Sequence, residues 1–153
     1  MDGDIVANRL IVPQLAGLYR ALAPFSYAFM RFCTGMVLVP HGVVKLFHGG
    51  AAGTAKTALG GLGPDLSLAV AYAVGCVELF GALMLAVGLL TRLAALSIIV
   101  EMSVIITVIL WPNGYFWTKQ GYEYALLWDL LCLAIFVRGG GRYSIDCLLP
   151  REF

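Results

Sequence analysis

Four long apolar stretches, at about 25–47, 66–90, 92–112 and 121–138, govern what this chain can become. Each is close to the roughly 20 residues a helix needs to cross the hydrocarbon of a bilayer. The second contains Glu78 as its only charge, and the third, opening at Arg92, is interrupted only by Glu101. The first carries Arg31, His41 and Lys45, and the fourth Glu123 and Asp129. Open strands leave edge amides unpaired in lipid, and no alternating pattern of a barrel is present, so the spans are helical. The expected fold is therefore all-α: an integral membrane four-helix bundle.

Composition agrees. The 153 residues are 61% hydrophobic and 12% charged, against roughly 45–50% and about 25% in soluble domains. Ten basic and nine acidic side chains cannot supply a water-facing shell for a fold of this size. Mean hydropathy of +0.89 excludes disorder. A net charge of +1 with no basic run argues against nucleic-acid binding.

Before the first span, Leu15, Leu18, Tyr19 and Leu22 recur at helical spacing between Pro13 and Pro24. Segment 1–24 is read as an amphipathic interfacial helix, too short to cross, and not as a signal peptide, since Asp2 and Asp4 replace a basic start. Residues 48–65 suggest a short surface helix around Ala51–Leu59, ended by Gly60 and Gly61. Leu90-Thr91-Arg92 makes a tight turn, and Trp111 to Trp117 combines turn residues with interfacial aromatics. The glycines at 139–141 end the last span and leave a short tail, 139–153.

Arg9, Arg20, Arg92, Arg138, Arg142 and Arg151 fall on one side of such a bundle, and Lys45, Lys56 and Lys119 on the other. The positive-inside rule then places both termini in the cytoplasm of a bacterial inner membrane.

Charges within spans are expensive and must face inward. Counting 1.5 Å per residue from the cytoplasmic ends puts Arg31, Glu101 and Asp129 about 10–14 Å deep and Glu78 about 18 Å. His41 and Glu123 lie at about 23–24 Å, and Lys45 at the far rim near 30 Å. The expected pairings are Arg31 with Glu101 or Asp129, and His41 with Glu78 or Glu123. The candidate polar interior is Arg31, His41, Lys45, Glu78, Glu101, Glu123 and Asp129. Three readings of it stand open: a network that only holds the bundle together, a binding site for a polar or redox-active molecule such as a quinone head group, and a route for protons or solutes. A neutral histidine beside a carboxylate suits a quinone carbonyl and its proton.

The four cysteines, Cys33, Cys76, Cys132 and Cys147, contain no CxxC and read as small hydrophobes, with no metal site and no covalently bound cofactor. Only two histidines exist, which disfavours haem.

Arg31, then Gly42-Val43-Val44-Lys45-Leu46, resembles the first helix of the DoxX family. Val77-Glu78-Leu79-Phe80-Gly81, continuing to Gly88-Leu89-Leu90-Thr91-Arg92, is similar to its second helix and turn. Tyr115-Phe116-Trp117 and Gly121-Tyr122-Glu123-Tyr124 resemble its entry to the fourth helix, and Gly140 to Asp146 its closing motif. In that motif Gly139-Gly140-Gly141 stands where the family has Gly-Pro-Gly, and the first 24 residues lie outside the family pattern. The resemblance implies a four-helix inner-membrane protein associated with oxidoreductases, similar to the small membrane subunit of thiosulfate:quinone oxidoreductase. Other members accompany thiol-stress and superoxide-handling proteins, so the chain is read as at most an oxidoreductase subunit, with a quinone as the candidate ligand of the polar interior and membrane lipid and a larger complex or a second copy as partners. A non-catalytic scaffold docking a larger complex is the alternative.

Overall fold

A computed structural model describes residues 10–150. Arg9 and Arg151, counted above for orientation, lie outside the described residues.

The chain forms α1 (Ala16–Phe47), α2 (Gly50–Thr57), α3 (Pro64–Val87), α4 (Thr91–Asn113) and α5 (Glu123–Arg138), with no strand among the described residues. The segment around α1, α3 and α4 are each long and apolar enough to cross a membrane. The expected fourth span is a helix of 16 residues, about 24 Å long and short of the ~30 Å hydrocarbon layer. The structure is an all-α membrane bundle of three long rods and one shorter one.

One boundary differs from expectation. Pro24 does not stop the first helix, which runs unbroken for 32 residues through both Pro24 and Pro40. A proline inside a helix costs one N–H bond to the carbonyl four residues earlier. Breaking the helix in an apolar setting would expose several unpaired backbone groups. The amphipathic segment is thus the first turns of the same rod, with Leu15, Leu18, Tyr19 and Leu22 exposed.

The other boundaries follow local chemistry. Pro64 occupies the first turn of α3, where its missing N–H is no loss. Gly88 ends α3 at φ 75°, the left-handed geometry glycine adopts without strain. The surface helix expected near Ala51–Leu59 appears as α2.

α1 and α3 lie antiparallel and in backbone contact. A Cβ on Gly42 would stand 2.5 Å from the Leu79 nitrogen, and one on Gly35 would collide with the Ala82 carbonyl. Such small residues are how helices approach closely in lipid. α3 turns tightly into α4, which packs along α5, and α5 closes on α1 through Trp128 Nε1, which donates to the Thr34 carbonyl at 3.2 Å. The shared core holds Leu38, Leu85, Ala95, Ile98, Cys132 and Ile135. The bundle has a turn end, at the α3–α4 connection, and a loop end, at the α1–α2 and α4–α5 connections.

Candidate functional site

Of the seven interior candidates, three meet at the centre of the bundle. Lys45 Nζ donates to both oxygens of Glu78, at 2.6 and 2.5 Å. Gly42 sets this contact by bringing α1 against the backbone at Glu78 and Leu79, and Gly75 leaves room for the lysine stem, since a Cβ there would stand 3.0 Å from the Lys45 Cβ. Glu78 itself sits in a π-helical turn, Val77–Gly81, interrupting α3. Such turns recur at functional sites because the inserted residue re-aims side chains.

Glu101, from α4, faces this ion pair and interacts electrostatically with both Glu78 and Lys45. It is 7% exposed, and neither of its oxygens receives a hydrogen bond. A neighbouring carboxylate can donate to it only when protonated. The cluster therefore offers two carboxylates to one ammonium. Glu78 is nine residues from the end of α3 and Glu101 ten from the start of α4, so both lie roughly 14–15 Å from the turn end, half-way through a bilayer core.

Glu101 and Lys45 line a cavity of about 440 Å³ between α3 and α4, whose other walls are mainly aliphatic, among them Val70, Val74, Val104 and Ile109. Ligand cavities of ~300–1,000 Å³ with apolar walls and a few convergent polar groups are the common form of a small-molecule site. A second cavity, about 370 Å³, holds Glu78 with His41, Tyr124 and Trp128.

The remaining candidates lie elsewhere. Arg31 meets neither Glu101 nor Asp129. It is 2% exposed and donates to the carbonyls of Leu85 (2.6 Å), Ala86 (2.9 Å) and Tyr143 (2.7 Å). The last carbonyls of a helix have no intrahelical partner, so Arg31 closes the end of α3 and ties the tail to it. His41 forms no hydrogen bond to Glu78 or Glu123 and is exposed on α1, sharing only the cavity with Glu78. Glu123 accepts from the Trp117 amide at 3.1 Å and folds the α4–α5 loop. Asp129 accepts from Ser103 Oγ at 3.2 Å, its other oxygen lacking a partner. Lys45, placed by counting at the far rim, instead belongs to the centre.

Asp146 was not among the seven, yet it is 5% exposed and heavily bonded. It accepts from the Leu90 amide (2.6 Å), the Thr91 amide (2.8 Å) and the Thr91 hydroxyl (2.5 Å). It caps the start of α4 from the tail, satisfying amides a helix start leaves orphaned. Its place in the closing Tyr143–Asp146 motif was the signal available. The four cysteines are free, and no cluster of metal-ligating residues exists among the described residues.

The sequence profile of the DoxX family matches residues 26–111, which hold most of α1, all of α3 and most of α4 with the Lys45–Glu78–Glu101 cluster. An uncharacterized protein of Haemophilus influenzae is 32% identical over 126 residues, covering 80% of this chain and 90% of that protein. A second uncharacterized protein of the same organism is 32% identical over 76 residues, half of each chain. No solved structure matches the chain. The protein, an apolar multi-pass membrane bundle with a charged centre, belongs to the DoxX family.

Proposed function

We propose that the protein binds an isoprenoid quinone or quinol in the cavity beside Glu101, acting as the membrane subunit of an oxidoreductase. The observation that carries this reading is a carboxylate 93% buried, set against the Glu78 carboxylate with no fixed donor to either oxygen, lining a mainly aliphatic cavity. A buried acceptor without a donor costs free energy, and a ligand hydroxyl removes that cost. Depth narrows the ligand class. Lipid head groups sit at the interface, whereas Glu101 lies about 15 Å inside, within reach of a molecule whose polar ring dissolves in the hydrocarbon. Lys45 adds a donor for a carbonyl in the oxidised form.

Saturable binding of a short-chain quinol, kept reduced and followed by equilibrium dialysis against purified protein in mild detergent, tests the reading. Glu101→Leu should weaken quinol binding about 10- to 100-fold, the equivalent of one hydrogen bond to a charged group. Absence of saturable binding, or equal affinity in the variant, would overturn it.

We place the turn end, with Arg20, Arg92, Arg138 and Arg142, in the cytoplasm of a bacterial inner membrane. Reporter fusions at residue 150 and within α2 test that orientation.

A second reading, a scaffold that docks a larger complex, is supported by the length of α1. Its 32 residues extend about 48 Å against a ~30 Å hydrocarbon core, which leaves the Leu15–Leu22 turns for the interface or a partner. Partners that are lost on removing residues 1–24, but kept by Glu101→Leu, would favour it.

A further inference from the structure

The bundle is sealed at one end and split at the other. At the turn end Leu85, Ile98 and Ile135 are fully buried. The Arg31 and Asp146 hydrogen bonds lash the tail across the α3–α4 turn, and Tyr27 Oη donates to the Gly139 carbonyl at 2.5 Å. Toward the loop end, beyond the Trp128–Thr34 bond, α1, α3, α4 and α5 border the cavity of about 370 Å³, where His41, Glu78, Tyr124, Ala125 and Trp128 meet the apolar Leu38, Met102 and Ile105. A second hollow of about 350 Å³ lies on the other side of His41, bordered by Lys45, Gly50 and Thr54. His41 borders both, and Glu78 stands at the inner wall of the first.

We infer that these two hollows form a water-filled vestibule through which Glu78, and Glu101 behind it, exchange protons with the loop-end solution, with His41 at its mouth. A water occupies ~30 Å³ and needs two to four polar partners. Volumes of about 370 and 350 Å³ hold several, and His41, Tyr124, Lys45 and Glu78 supply the partners. Lys45 from α1, Glu78 from α3 and Tyr124 from α5 are the ionisable groups sharing a hollow with His41. Glu78 and Lys45 are those acting on Glu101, with Asp129 and Cys132 across the α4–α5 face.

The inference rests on the reading of Glu101 as a ligand site, because a bound hydroxyl brings a proton that needs an exit from mid-membrane. The step is proton transfer alone. The ligand O–H bond breaks and its oxygen keeps the electron pair. A Glu101 carboxyl O–H forms; it breaks as the proton passes to the adjoining Glu78 carboxylate, and the Glu78 O–H in turn gives it to His41 or vestibule water and out at the loop end.

Cysteine accessibility tests it in the full chain, in cell-derived vesicles of both orientations. With Cys33, Cys76, Cys132 and Cys147 replaced by alanine, His41→Cys and Ala125→Cys probe the vestibule, and Ala95→Cys is a dry control in the sealed half. Thr57→Cys and a retained Cys147 mark the loop and turn sides. A charged, membrane-impermeant methanethiosulfonate should modify both probes from the Thr57 side and leave Ala95→Cys untouched. The expected preference over the Cys147 side is about tenfold or more, because the reactive thiolate forms only where water reaches. An inert Ala125→Cys, or one labelled from the Cys147 side, overturns the vestibule. Quinone binding measured on the same variants separates the two ideas. Labelling without binding defeats the ligand reading, and binding without labelling defeats the vestibule.

Discussion

Removing Lys45 should damage the bundle more than removing either carboxylate it serves. The ammonium contacts both Glu78 oxygens at 2.6 and 2.5 Å and also acts on Glu101. The Lys45 and Glu78 side chains are only 16% and 5% exposed, so neither charge recovers its hydration in place. Lys45→Met leaves two facing carboxylates with no counter-charge, and orphaning a buried charge costs about 3–5 kcal/mol. In Glu78→Gln the lysine keeps Glu101 opposite it and exchanges an ionised acceptor for an amide oxygen, a loss of about 1–2 kcal/mol. The triple variant Lys45→Met, Glu78→Gln, Glu101→Gln contains no charge at the centre and should return to within about 1–2 kcal/mol of the parent, as neutral replacements of buried ion clusters commonly do. Reversible unfolding in mixed micelles at increasing SDS fraction, followed by circular dichroism, ranks the variants. Equal losses for Lys45→Met and Glu78→Gln would refute a lysine shared by two carboxylates. So would a triple variant as unstable as Lys45→Met.

Gly42→Ala places a methyl 2.5 Å from the Leu79 nitrogen and 2.8 Å from the Glu78 carbonyl carbon. Backbone must move, and we expect about 1–3 kcal/mol of destabilisation by the same titration, together with weakened quinone binding. Asp146→Ala frees the Leu90 and Thr91 amides, so exchange of the first-turn amides of α4 should accelerate with a cap loss of about 1–2 kcal/mol; unchanged exchange there would rule out the cap. Arg31→Met strips the donor from three carbonyls at about 1.5–3 kcal/mol per charged hydrogen bond. Its yield of folded monomer should collapse, whereas Arg31→Lys, retaining one donor, should be partly restored.

The spans and turns were legible because apolar length, Gly88 and Pro64 act locally. The pairing was legible only in part, since depths counted along Cα atoms ignore where side chains lean. Every Cα–Cβ bond in a helix tilts toward that helix's N-terminus. On antiparallel α1 and α3 this tilts Lys45 inward and Glu78 outward, closing a gap that counting put at about 12 Å. Arg31 eluded prediction for another reason. Its acceptors are backbone carbonyls, which residue identity does not reveal, and the end of α3 lies at its depth. Pro24 misled because helix-breaking rules hold in water, where exposed amides find other partners.

Satisfaction of the buried polar groups separates structure from function within one small bundle. Asp146 finds three donors and the terminal guanidinium nitrogens of Arg31 find three acceptors, all at the turn end. In that network only the Arg31 Nε goes without an acceptor, and a network so densely bonded resists motion and specifies one arrangement. Half a bilayer away, Glu101 has no donor and Asp129 only one, and Glu101 and its neighbour Glu78 each line a cavity. If the charges served only to hold helices together, the incomplete sites would be the costly ones to keep, since apolar packing of the same volume is commonly as stable. That imbalance is what the proposed quinone site requires: a fixed base that bears the helices and, above it, a carboxylate that a ligand hydroxyl would complete.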